Sequence, residues 1–470
     1  MQDTTATWAD LFSGRNRYKT ITLALGVLLH VSNIYIATTV LPTVVKEIGG
    51  LEFYAWNTTV FVIASIMGSV FSASCLSGAG PLRAYRMALV LFIAGTAICI
   101  IAANMQVLLG GRFIQGLGGG LLFALSYAMI RIVFDERLWP RSMALVSGMW
   151  GIGAFVGPFV GGIFAEYGHW RIAFGCMVLV SLVLLLATER ILPSASHPGK
   201  GRPVPVFKLL LLLLAALSVS VGSIYEHFTI NIISMLLAVV FIAGVIRAER
   251  GTAKRLLPTG AYRLSGTLGT VYMVMLLFSV VAAVEIFVPY FAQAIYHYTP
   301  LKAGYLAVLV AFGWTLGSLI CSGRSARYMG KLILCGALLL MLGLYTLTVL
   351  SHEGLSTAEL LCLCAALLVT GAGIGIIWPH LMVKVFSLAP PGEEELASAS
   401  VTTLQLVSMT FGAALGGLIA NYGGMTHPGG VEGARHASLL LYVFFMSAPL
   451  LVIILLIFHK KFRRNLFGKK

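Results

Sequence analysis

The residues of this chain that could do chemistry are ionisable groups set deep in long apolar stretches, where each costs about 2.5–3.5 kcal/mol at a helix centre on insertion scales. Glu285 stands in Val280-Val281-Ala282-Ala283-Val284-Glu285-Ile286-Phe287-Val288, with apolar neighbours on both sides for several turns. Removing a carboxyl from water favours its neutral form, so Glu285 is a candidate proton acceptor. The plainer alternative is a permanently paired or snorkelling carboxylate. His30, in the first apolar stretch, is either a second titratable group or a helix-packing histidine. Arg112 cannot give up its proton. It is left to bias a nearby carboxylate, to hold an anionic group, or to snorkel to the headgroups. Lys384 reads as a snorkelling basic residue without a function of its own.

Enzyme chemistry is not suggested. No nucleophile and base are paired inside the apolar stretches, and Cys362-x-Cys364 is too tight and isolated for a zinc site. No G-x-x-x-x-G-K-[ST] loop is present, so direct nucleotide-driven pumping is unsupported. Neither a metal nor a cofactor is expected. The seven cysteines all fall in apolar stretches and read as small core residues.

The elements that must hold these groups follow from composition. Of the 470 residues, 59% are apolar and 10% charged, with a mean hydropathy of +0.93. Soluble domains carry about 45–50% and about 25%, so the chain has too few charges to cover a water-facing surface. The net charge of +15 does not point to nucleic acid, because the basic residues sit in short connectors. A window of about 20 residues finds fourteen expected spans, at about 20–42, 57–76, 85–103, 107–134, 142–165, 171–188, 208–225, 229–246, 267–292, 303–321, 331–350, 358–383, 398–421 and 437–459. The weakest boundary is the short connector at Tyr225, Glu226 and His227. No cleavable signal peptide is read before residue 20, so the first helix is expected to stay. With the N-terminus inside, nearly all Lys and Arg fall on the cytoplasmic side, leaving Lys46, Arg112, Arg171, Lys302 and Arg435 elsewhere. An even number of spans with both termini cytoplasmic is the consistent reading. The longest loops, 189–207 and 247–266, are too short for a folded catalytic domain.

An internal repeat organises the spans. Gly157, Gly161, Gly162, Ala165, Tyr167 and Gly168 recur 255 positions later as Gly412, Gly416, Gly417, Ala420, Tyr422 and Gly423, and Gly116, Gly118 and Gly120 recur as Gly371, Gly373 and Gly375. Spans one to six therefore correspond to nine to fourteen, with two inserted. The expected division is a six-helix bundle over 1–190, a loop and two inserted helices over 191–263, and a second six-helix bundle over 264–470. The same offset carries His30 onto Glu285, an expected titratable pair across a central cavity. Glycines spaced by three and four let helices pack through their backbones, and Pro158 adds a bend. Gly153, Gly157, Pro158, Gly161, Gly162, Gly412, Gly416 and Gly417 thus form an expected seam, either rocking or static. Polar and aromatic residues interrupting apolar faces are the expected cavity lining: Asn33, Tyr35, Gln115, Tyr290, Gln293, Trp314, Trp378, His380 and Gln405. Such a lining would suit an amphiphilic organic ligand, with a cation stacked on Trp or Tyr. Membrane-interface anchoring and helix packing explain such residues equally well.

On these residues the chain resembles the major facilitator superfamily, and within it the fourteen-helix drug:proton antiporter group. Gly151-Ile-Gly153-Ala-Phe-Val-Gly157-Pro158-Phe-Val-Gly161-Gly162 looks like the antiporter motif, Arg112-Phe-Ile-Gln115-Gly116-Leu-Gly118 like the fourth-helix motif, and Asn33-Ile-Tyr35-Ile-Ala37-Thr-Thr-Val-Leu41-Pro42 like the first-helix motif. Two departures stand out. Asn33 replaces the usual first-helix acid, and Ser77 replaces the acid of a loop that keeps Gly80 and Arg83. The partner loop, with Gly323, Arg327 and Gly330, is nearer the usual pattern. The resemblance implies an all-α membrane fold and export of amphiphilic small molecules by proton antiport through alternating access. The compact loops and the resemblance together imply a bacterial inner membrane setting with lipid as the surrounding partner, and because one chain holds both halves it is expected to function as a monomer. The missing acid keeps open an exporter or facilitator of a neutral or anionic metabolite, such as a siderophore. A non-transporting receptor or assembly partner on the same fold also stays open.

Overall fold

The computed structural model describes residues 8–192, 206–222, 224, 228–249, 255–263, 265–321, 329–391 and 393–458. Their helices are α1 (Trp8–Leu11), α2 (Asn16–Ile48), α3 (Tyr54–Ala79), α4 (Pro81–Ile101), α5 (Met105–Val133), α6 (Trp139–Glu166), α7 (Trp170–Ile191), α8 (Val206–Gly222), α9 (Phe228–Glu249), α10 (Thr267–Ala282), α11 (Val288–Ala294), α12 (Pro300–Cys321), α13 (Met329–Val349), α14 (Thr357–Gly375), α15 (Trp378–Ser387), α16 (Glu394–Tyr422) and α17 (Gly430–Phe458). Among the described residues, thirteen helical stretches are long and apolar enough to cross a membrane, and Leu210–Gly222 of α8 forms a shorter apolar helix. The connector Tyr225, Glu226 and His227 lies outside the described residues.

Local chemistry sets where the helices begin. Gly80, at φ +81°, turns the chain so that Pro81 can occupy the first helical position of α4, where its missing N–H costs nothing. The Asn104 side chain accepts from Val107 N at 2.9 Å and caps α5. Ser356 and Glu359 form a capping box on α14.

Two expected spans are broken. The stretch expected over 267–292 is interrupted by a 3-10 turn, Ala283–Ile286, between α10 and α11. The one expected over 358–383 is interrupted between Gly375 and Trp378. In both, a proline stands second in the helix that follows the break. A proline ring clashes with the carbonyl four residues back and removes the hydrogen bond that carbonyl would accept. Pro289 acts on Glu285 in this way and Pro379 on Gly375. The freed Gly375 carbonyl accepts instead from Ser318 Oγ at 3.0 Å.

The chain forms two compact units. The first comprises Met1–Gly50 and Val60–Val204; the second comprises Leu51–Thr59 and Pro205–Lys470. In the first unit, a Cβ on Gly116 or Gly120 of α5 would strike the backbone of α3, and one on Gly118 would strike that of α4. In the second unit, Gly371 and Gly375 of α14 meet the α12 backbone in the same way, and Gly373 meets α13. The 255-residue repeat is therefore a repeat of packing, with the same alternation of faces. The α6 glycines follow suit: Gly153, Gly157 and Gly161 lie on Val31, Ser32, Tyr35 and Ile36 of α2. On α16, Gly412 meets Val280 and Ala283, and Gly416 meets Phe287. Pro158 and Gly162 are buried within α6, and Gly417 lies against Ala55.

The inserted helices α8 and α9 pack on each other, and α8 packs on α16, with Val219, Ala238 and Ala414 in one buried cluster and Phe411 and Leu415 around it. Lys208, one of the basic residues assigned to the cytoplasmic side, is buried in an ion pair with Glu249 at 2.6 Å. Glu249 also accepts from Leu256 N at 3.0 Å. The following connector is fastened to the start of α16, where Thr259 N donates to Glu393 Oε2 at 2.6 Å and Arg255 Nη1 to Oε1 at 3.2 Å. Partial burial pushes the Glu393 carboxyl up; the Thr259 hydrogen bonds and the Arg255 charge outweigh it and leave it below the usual carboxylate range.

The cysteines correct one expectation. Cys99 and Cys321 are buried, whereas Cys335 and Cys362 are exposed. In a membrane helix the lipid-facing side is as apolar as the core, so an apolar neighbourhood in sequence does not place a residue inside.

Candidate functional site

In the first unit, polar groups gather where α2, α3, α4 and α5 meet. The Phe61 ring of α3 carries the His30 imidazole stacked at 5.6 Å between centroids, and the Arg112 guanidinium carbon 4.1 Å from its own centroid. One aromatic ring thus contacts both ionisable groups. Phe123 closes on His30 from α5 at 5.1 Å, and Gly119 leaves room for the imidazole, since a Cβ there would lie 3.0 Å from Nδ1. Arg112 Nη1 donates to Gln115 Oε1 at 2.5 Å, and Gln115 Nε2 donates on to Thr96 Oγ1 at 2.8 Å. Arg112 and Gln115 are both essentially inaccessible to solvent. The fixed fork of a guanidinium allows it to stack and donate at once.

Asn33 lies one turn beyond His30 on α2 and is wholly buried. Neither of its amide atoms, nor His30 Nδ1, has a hydrogen-bond partner among the described residues. A buried amide without partners costs about 1–3 kcal/mol. Tyr35 is half-buried, with its Cβ against Gly157.

In the second unit, Glu285 is carried by the 3-10 turn, where the helix ladder is already interrupted. Aromatic side chains crowd the residues that follow it. Tyr54 stands 5.3 Å edge-on from Tyr290 and 6.1 Å from Phe287, and Phe291 is 6.0 Å from Tyr442. The Tyr290 hydroxyl donates to Met425 O at 3.4 Å. Gln293 is buried, and its Nε2 lacks a partner among the described residues.

The second break has its own cluster. Trp314 and Trp378 meet edge-on at 5.3 Å, and His380 Nε2 lies 2.8 Å from the Cys321 carbonyl. Gln405 is half-buried on α16. Among the loop-motif residues, Gly80 and Arg83 flank the start of α4, with Arg83 exposed, and Gly330 lies in the first turn of α13. Gly323 and Arg327 lie outside the described residues.

Several residues of consequence were not singled out from sequence. Arg171, at the start of α7, donates to the carbonyls of Ile100 and Ala102 at the end of α4 and pairs with Glu47. Arg435, at the start of α17, donates to Ser351 O just beyond α13 at 3.2 Å. Both belong to the few basic residues that break the charge bias, and that was the available signal. Tyr54 and Trp56 gave none, because aromatic residues at a span end read as interface anchors.

The Major Facilitator Superfamily model matches residues 23–409. The chain is similar to a "Probable multidrug-efflux transporter" of Mycobacterium tuberculosis, 34% identical over 426 residues that cover 89% of this chain and 90% of that one. It is also similar to "Multidrug resistance protein 3" of Bacillus subtilis, 23% identical, over 86% and 79% of the two chains. Two solved structures show the same fold. One is a peptide transporter POT in complex with sulfate, with a TM-score of 0.68 at 15% identity and 96% of each chain covered. The other is a bacterial homolog of the human lysosomal transporter Spinster, with a TM-score of 0.66 at 14% identity and 96% and 97% covered. An integral protein of the inner membrane whose repeated helical halves match this family over most of their length, the chain belongs to the Major Facilitator Superfamily of transporters.

Proposed function

We propose that the protein exports amphiphilic small molecules in exchange for protons, by alternating access, with both termini cytoplasmic and the single chain as the working unit. Glu285 is the proton-responsive group in this reading. The observation that carries it is the position of that carboxyl on a proline-broken 3-10 turn inside an apolar span, followed along the chain by the aromatic residues Phe287 and Tyr290. Interrupted helices supply coupling and substrate groups in secondary transporters because irregular backbone is tolerated only where it lines a protein-bounded site. The names of the relatives, multidrug efflux and multidrug resistance, favour drugs as the substrate class. Arg112, stacked on Phe61 beside His30, anchors or biases charge in the first unit, and the glycine faces of α6 and α16 are the moving seams.

A second reading, export of an uncharged polar metabolite, draws on Asn33. Its buried amide offers a donor and an acceptor where a carboxylate would favour a cation.

The test is proton flux in liposomes holding the purified protein, under an imposed pH gradient, with a panel of organic cations, neutral amphiphiles and anions. Antiport predicts substrate-dependent proton movement that disappears in Glu285→Gln. Labelled substrate moving without protons would overturn the coupling and leave Glu285 a structural role.

A further inference from the structure

The opening turns of α3 do not pack with the rest of that helix. The 3-10 turn Leu51–Phe53 and the start of α3 up to Thr59 belong to the second unit, and from Val60 the same helix belongs to the first. Within the second unit the tip is held at several points. Asn421 Nδ2 of α16 donates to Glu52 O at 3.1 Å. Ala55 lies on Gly417, so closely that a Cβ there would stand 2.5 Å from the Ala55 methyl. Tyr54, 1% exposed, sits in the socket of Phe287 and Tyr290.

Trp56 makes the most specific of these attachments. Its indole Nε1 donates to Ser220 O at 2.8 Å. Ser220 is two residues from the end of α8, and the last four carbonyls of a helix have no partner within it. The indole is therefore a side-chain cap on the inserted helix as well as a tie on α3. The inserted helix is itself fixed, by the Lys208–Glu249 pair at one end and by Val219 against Ala414 near the other.

We infer that Trp56 is a positioning residue of the transport cycle: it anchors the tip of α3 to the inserted helix pair, so that the tip moves against a fixed post when the 3-10 turn rearranges. Tyr54 rests on Phe287, which directly follows the turn carrying Glu285. A change in that turn thus reaches α3 through the Tyr54 socket, while Trp56 holds the other side. This gives the inserted helices a mechanical task. Its place in the cycle rests on the antiport reading above.

The test uses the full chain in liposomes and Trp56→Phe, which keeps an aromatic body and removes the donor. Two readouts are taken: amide exchange of residues 51–59 and 217–222, and flux of the lipophilic cation tetraphenylphosphonium under a pH gradient. The expected result is at least tenfold faster exchange in both segments, with α13 unchanged. The maximum flux changes by fivefold or more while KM stays within twofold. Unchanged exchange in 217–222 overturns the tie. Faster exchange with unchanged flux parameters overturns the role in the cycle and leaves a structural cap. Wild-type protein that moves neither this cation nor any member of the wider panel fails the transport reading, and the exchange measurement then decides the tie alone.

Discussion

Arg112 and Phe61 are stacked with the guanidinium carbon 4.1 Å from the ring centre, and the same guanidinium donates to Gln115. A lysine cannot do both. Its ammonium is a single point on a flexible stem, without the plane that stacks or the fork that fixes direction. Cation–π contacts of this kind contribute about 0.5–2 kcal/mol, more when desolvated. We expect Arg112→Lys to lower flux of an organic cation or anion at least tenfold at unchanged protein yield. Phe61→Leu should lower it less, because the hydrogen bond to Gln115 survives. Equal flux in wild type and Arg112→Lys would reduce Arg112 to a generic positive charge.

The ion pair between Lys208 and Glu249 allows a separate test of the inserted helices, independent of transport. Both side chains are at most 6% exposed. Breaking a buried pair by removing one partner costs about 3–5 kcal/mol, because the other charge is left buried. Replacing both by apolar residues of similar volume is often close to neutral. Lys208→Met should therefore lower the thermal transition of the detergent-solubilised protein clearly, and Lys208→Met with Glu249→Met should recover most of it. If the double substitution is as unstable as the single one, the backbone bond from Leu256 N to Glu249 matters more than the charge pair.

Span existence was legible because apolar length and charge placement are properties of composition, and the repeat was legible because backbone approach tolerates only glycine at Gly118 and Gly373. The two helix breaks were missed although Pro289 and Pro379 were in view. A hydropathy window averages over a proline, and Pro158 is carried inside α6 without an interruption, so proline alone does not announce a break. The partners of Arg112 were not readable either. Gln115 was a candidate by its own polarity, but that one Phe61 ring joins Arg112 to His30 depends on three helices meeting. Trp56 and Ser220 are 164 positions apart. No local pattern links them.

Acid should loosen the connector between α9 and α10 before it disturbs the helices. The Glu393 carboxylate accepts from Thr259 and pairs with Arg255, and its proton affinity in the folded protein lies below the ordinary glutamate value of 4.5. The unfolded connector thus binds a proton more readily than the folded one, so the clasp's contribution is complete above that ordinary value. It declines as pH falls through the lowered folded value. Protection of the Thr259 amide, corrected for intrinsic exchange, should be flat from pH 7 to 5 and fall at lower pH. In Glu393→Gln that acid step should vanish, since the amide keeps an acceptor oxygen but does not titrate in this range. An acid step of equal size in the variant would mean that another group controls the connector.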